Sequence, residues 1–132
     1  MRLQTPEIDS INASRTLNKP VEGIFECSAE GPALSTVQDA VDVMGEAMAA
    51  SATLVILPIS RLDPAFFQLR TGLAGEILQK FVNYRLKVVI LGDYSKLASN
   101  SAPLRDFIHE SNRGNAIWFL ADRKDLEEQL SA

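Results

Sequence analysis

The 132 residues contain one cysteine, Cys27, and one histidine, His109, and this scarcity closes off several kinds of chemistry. A lone thiol makes no internal disulfide and, without companion ligands, no structural zinc site, so the chain fits a reducing intracellular compartment. Long apolar runs are also missing. The longest, TLVILPI and LKVVILG, fall far short of the ~20 residues that span a bilayer. The opening MRLQTPEIDS has no apolar stretch of the kind a signal peptide carries. The expected setting is therefore the cytoplasm, with no membrane partner. The 13 basic and 17 acidic side chains leave a formal net charge of -4, which argues against a nucleic-acid partner. The sequence shows no phosphate-cradling loop, metal-ligand cluster or catalytic triad, so neither a metal nor a cofactor is expected.

What is present is the composition of an ordinary globular domain, with 46% hydrophobic and 23% charged residues. At this length about two thirds of the unfolded surface can be buried, and one domain over residues 1–132 is expected. Charge is unevenly spread. Residues 64–96 carry Arg70, Lys80, Arg85, Lys87 and Lys96 against Glu76 and Asp93, a local excess of three positive charges, while the rest of the chain is net negative by seven. That basic segment reads either as solvated side chains around a helix or as a docking face for an acidic partner.

Residues 53–59 and 86–91 have the continuous β-branched and aliphatic character of strands covered on both faces. Residues 116–120 make a further strand. In the first 31 residues, Pro6, Pro20 and Gly23 punctuate short apolar groups as in a hairpin or two short strands, with 21–27 the better candidate. Helices separate the strands. Ser35 and Gln38 give a capping-box pattern, after which Val37, Ala40, Val41, Met44, Ala47 and Met48 recur at three- and four-residue steps. Asp63 and Pro64 cap and open a short turn through Phe67. Leu69, Leu73, Ala74, Ile77, Leu78, Phe81 and Val82 then line one face of a long helix, and Gln68, Gly72, Gly75, Gln79 and Asn83 line the other. Glu76 and Lys80 form an i,i+4 pair on its exposed side. Ser101 and Pro103 start another helix, with Leu104, Phe107 and Ile108 inward and Gly114 in the left-handed position beyond its end. Asp122 caps the last helix, anchored by Leu126 and Leu130. The order β-β-α-β-α-β-α-β-α describes a single α/β domain with a mixed sheet, parallel in its later strands, and helices mainly on one face.

The pieces VQDAVDVMGEA, LDPAFFQLRTGLAGEILQKFVNYRLK, LGDYS and LRDFIHESNRG, in that order, resemble a bacterial family of unknown function, DUF4180, over more than half of the chain. This resemblance implies kinship and brings no activity with it. A more distant resemblance bears on function. TLVILPISRLDPAFFQLRTGLAGEILQKF, then LKVVILGD, a helix, a strand and a terminal helix, is similar to the STAS domain of anti-sigma-factor antagonists. In that family a serine at the start of the helix, before a glycine and a leucine, is phosphorylated to switch partner binding. Thr71, Gly72 and Leu73 stand at the corresponding place. Leu69 and Arg70 replace the aspartate usual before the serine, and LDPAFF lengthens the loop, so the fold carries over more directly than the switch.

Three candidate sites follow. Thr71 is a candidate phosphoswitch, because a phosphate there would meet free helix amides and the positive dipole end, with Arg70 beside it; its plainer role is a cap. A ligand cleft beyond the carboxyl ends of the parallel strands would gather Ser60, Arg61, Arg70, Asp93 and Ser95, with Asp122 and Arg123 nearby. Its arginines suit an anion or nucleotide, whereas Asp93 and Ser95 in GDYS more often just make the strand-to-loop turn. The bare face with Gly72, Gly75 and Gln79 suits docking of a protein partner, a homodimer included. Ser60, Asp93 and His109 do not make a hydrolase triad, since ISRLD lacks the glycines of a nucleophile elbow. Cys27 reads as a buried, inert thiol. The expected function is a non-catalytic regulatory or protein-interaction module. The alternative is a small-molecule binder or small enzyme using the strand-end cleft.

Overall fold

A strand made only of β-branched and aliphatic residues needs cover on both faces, and the two runs of that kind form the middle of the sheet. The computed structural model describes residues 23–131. Strands β2 (Leu54–Pro58) and β3 (Lys87–Leu91) pair in parallel, with Val55 opposite Val88 and Leu57 opposite Ile90, and all four of these side chains are out of solvent. β1 (Ile24–Glu26) adds beside β2, and β4 (Ile117–Leu120) beside β3. The resulting order is β1-β2-β3-β4, with every pair parallel. The strand expected ahead of β1, which would make the sheet mixed, falls in residues 1–22 and so lies outside the described residues.

Strands that pair in sequence order send crossovers of one hand over one face of the sheet. Helices α1 (Val37–Ala49) and α2 (Leu73–Asn83) pack on the face that carries Val55, Leu57, Val88, Ile90 and Phe119. Beyond β3 the chain forms a short helix, α3 (Ser95–Ser99), where a plain turn was expected, and then α4 (Ala102–Arg113), which covers the same face with Leu104 and Ile108. α5 (Arg123–Ser131) turns to the opposite face, where Leu126 joins Leu54, Ile56 and Val89. The α/β class and the one-sided bias of the helices both stand.

Local signals account for most helix ends, with some corrections. The capping box of α1 belongs to Thr36 and Asp39 rather than Ser35 and Gln38: Thr36 Oγ1 accepts from the Asp39 N–H at 3.1 Å, and the Asp39 carboxylate accepts from the N–H groups of Thr36 and Ser35 at 3.1 and 2.9 Å. A carboxylate receives two backbone donors better than a neutral amide side chain does, which favours the later register. Asp63 caps the turn Pro64–Phe67 as expected, accepting from the Ala65 N–H at 2.8 Å. Ser101 and Asp122 likewise cap α4 and the start of α5 through the N–H groups of Leu104 and Asp125. Gly114 does not take the left-handed conformation; its φ of -92° and ψ of -165° are extended, because the chain runs straight on into β4.

α1 and α2 end alike, in a way the sequence does not advertise. The Ala52 N–H donates to the Ala47 carbonyl and the Ser51 N–H to Met48; the Leu86 N–H donates to Phe81 and the Arg85 N–H to Val82. This is the Schellman pattern, with the apolar pairs Ala52–Ala47 and Leu86–Phe81 closing it. Its left-handed residue is Ser51 in one helix and Arg85 in the other. Three side chains assigned to the core sit at its margin: Met48 is 45% exposed, Val82 39% and Leu130 43%. Each lies in the last turn of its helix, and Met48 and Val82 each stand directly after a fully buried residue, Ala47 and Phe81. Two ion pairs form among the described residues, Glu110–Arg113 and Glu26–Arg123, so Glu76 and Lys80 share a face without touching.

Candidate functional site

β2 and β3 end side by side, with Pro58 opposite Leu91. The turn after β2 presses on the end of β3 so closely that a Cβ at Gly92 would lie 2.3 Å from Ile59 Cγ2, and Gly92 also holds a φ of +148°. Ser60 and Asp93 therefore leave the sheet from neighbouring strand ends, yet their polar atoms turn to local partners. The Ser60 hydroxyl donates to the Ala29 carbonyl at 3.3 Å. Asp93 Oδ1 accepts from the Ser95 N–H at 3.0 Å, and that bond holds its carboxyl below the usual aspartate range. Ser95 is the first residue of α3.

Arg61 is the most heavily engaged of the predicted residues. Its Nε donates to the Pro32 carbonyl at 2.8 Å, and its NH1 group to the carbonyls of Ser28 and Glu30 at 2.8 and 3.1 Å. The loop between β1 and α1 thus wraps the guanidinium with backbone oxygens, and the same NH1 lies 3.4 Å from Cys27 Sγ. Burial pushes the Cys27 thiol up in pKa, partly offset by Arg61 and reinforced by Glu46, so Cys27 sits as a buried neutral thiol. Arg70 is exposed in the turn Leu69–Thr71. Arg123 reaches Glu26 across the top of the sheet.

Thr71 closes the loop that leads into α2. Its hydroxyl lies 2.9 Å from the Ala65 carbonyl and 2.8 Å from that of Gln68, to either of which it donates, and it accepts from the Leu73 N–H at 3.2 Å. The hydroxyl thus serves the first amide of α2 from just outside the helix, while the N-cap position itself falls to Gly72 and carries no side-chain bond. Gly72 follows with a φ of +79°, the left-handed conformation that turns the chain from Thr71 into the helix.

On α2, Gly75 and Gln79 point away from the sheet, with Ala74, Ile77, Leu78 and Phe81 buried on the reverse. A Cβ at Gly75, or at Gly45 on α1, would meet nothing within 4 Å. Gln79 Nε2 donates to Asn83 Oδ1 at 2.8 Å, which fixes both amides along the helix. A shallow groove beside this face is lined by Val37, Gly75, Glu76, Gln79, Lys80 and Asn83. Val37 belongs to the apolar stripe of α1 and also borders this groove; its place as the first residue of α1 is the signal in the sequence.

The molecule is a parallel α/β domain whose strand-end polar groups serve its own turns and whose helical layer presents an uncrowded face at Gly75. Residues 20–130 match the family described as Domain of unknown function (DUF4180), and the chain belongs to that family. No curated protein and no solved structure matches the chain, so the comparisons add nothing to the STAS likeness. No helix among the described residues is long and apolar enough to cross a membrane.

Proposed function

We propose that this chain is a non-catalytic protein-interaction module, regulatory in the manner that its sequence likeness to STAS domains implies. Its docking surface is the exposed face of α2 at Gly75 and Gln79, together with Gly72 just ahead of the helix. The observation that carries the reading is the bare surface at Gly75, where a helix that would gain stability from alanine instead keeps a residue with no side chain and open space above it. A partner's backbone can approach there more closely than at any position bearing a Cβ. The charged and hydroxyl groups at the strand ends, by contrast, already hold the chain's own carbonyls and amides.

Thr71 is the switch of this module. Phosphorylating its oxygen would remove the donor that Ala65 and Gln68 accept and place a dianion at the start of α2, next to Arg70 and the free amides of the first turn. The loop Pro64–Phe67 would be released and the docking face altered in one step.

The test compares Gly75→Arg with Gly75→Ala in tagged protein recovered from its host, reading both self-association and co-purified proteins. Alanine should raise stability by about 1 kcal/mol and leave assembly intact. Arginine should abolish assembly with the fold preserved. Arginine variants that assemble like the unmodified protein would refute the docking face. For the switch, intact mass after incubation with host lysate and ATP should show added phosphate that Thr71→Val lacks; no added mass would remove Thr71 from the proposal.

A further inference from the structure

The outer edge of β4 is closed by a side chain. Asn112, near the end of α4, donates from Nδ2 to the Phe119 carbonyl at 3.1 Å and accepts at Oδ1 from the Phe119 N–H at 2.7 Å. A single side-chain amide thus makes both bonds that a residue of an added antiparallel strand would exchange with Phe119. Only one orientation of the amide satisfies both groups, which fixes its donor and acceptor.

Phe119 is where such a plug matters most. On the inner side, the Val88 N–H donates to the Ala116 carbonyl and the Gly92 N–H to that of Leu120, so alternate residues of β4 face β3. Ile117 and Phe119 then present their peptide groups outward, with Phe119 next to the strand's carboxyl end. The Phe119 side chain is meanwhile locked in the core, edge-on to Tyr94 and Phe107 with ring centroids 6.1 and 6.0 Å away. Asn112 stands one more turn along the face of α4 that carries Leu104 and Ile108, and is itself exposed. A further bond, from Trp118 Nε1 to the Gly114 carbonyl at 2.9 Å, ties down the connection between α4 and β4.

An edge strand with free amides and carbonyls is a template for pairing with another chain. We propose that Asn112 is an edge guard: it occupies the strand-addition position on β4 and keeps a second copy of this chain from pairing there. The role is separate from the α2 face and does not depend on it.

The experiment measures self-association of the full chain by sedimentation across a wide concentration range, for the unmodified protein, Asn112→Ala, Asn112→Gln and the double variant Asn112→Ala with Ala121→Lys. Ala121 is exposed just past β4, and a lysine there places a charge on the freed edge without touching Asn112. Asn112→Ala should strengthen self-association about tenfold or more, the scale of two recovered backbone hydrogen bonds. The added lysine should reverse that gain. Asn112→Gln, which keeps an amide but misplaces it, should give a smaller gain and serves as the reading if alanine does not fold. Association unchanged in the folded variants would overturn the proposal, as would a gain that the lysine fails to reverse.

Discussion

Ser51 and Arg85 sit at φ values of 60° and 61°, each as the left-handed residue that ends a helix and starts the approach to a strand. Glycine is the usual occupant of such a position, since a Cβ there crowds the following carbonyl. Ser51→Gly and Arg85→Gly are expected to stabilise the fold by about 0.5–1 kcal/mol each, measured by urea unfolding at constant m-value. Equal effects at both sites would follow from the shared bond pattern. At this scale the sequence was a partial guide. Thr71 was readable as a hydroxyl serving the start of α2, although the N-cap itself is Gly72. Arg61 was not readable as a loop clamp, because its three acceptors are backbone carbonyls of Ser28, Glu30 and Pro32, which no side-chain pattern marks.

Among the elements, α1 offers a pH-dependent test. The Ser35 N–H, and then that of Thr36, hold the Asp39 carboxyl below the ordinary aspartate range. The folded chain therefore binds this proton at lower pH than the unfolded chain. The stabilisation is complete above the unfolded-state value of 3.8 and is lost as pH falls through the lower folded value. Amide exchange at Ser35 and Thr36 should quicken in that window, and Asp39→Asn should remove the pH dependence. Element identity was well marked in the sequence, since the apolar runs of β2 and β3 and the stripe Ala74, Ile77, Leu78 and Phe81 have unmistakable periods. Element ends were less so. Thr36 and Ser35 are both competent caps, and only the carboxylate at Asp39 decides between them; α3 is too short to show a period at all.

For the molecule as a whole, the two faces of the sheet are unequally defended. Three helices cover one, whereas among the described helices α5 covers the other with Leu126 as its single buried residue. Leu126→Ala should cost about 2–4 kcal/mol and raise binding of a hydrophobic dye, with the loss read by thermal melting. A small effect would mean that α5 contributes little to holding that face. This asymmetry was visible beforehand in the order of strands and helices. Which side chains secure the two faces was not, because it depends on where each helix crosses the sheet.

The strand order carries one more consequence, for a chain emerging from the ribosome. β2, β3 and β4 each pair with the strand made just before, so each new crossover can close on a strand already made, with no wait for distant sequence. Such an order lets the sheet grow from one side, with its newest edge open until the next strand arrives. Among the described strands β4 has no successor in the order. The side chain that seals its edge lies on α4, the helix made just ahead of it, and so is already at hand when β4 is laid.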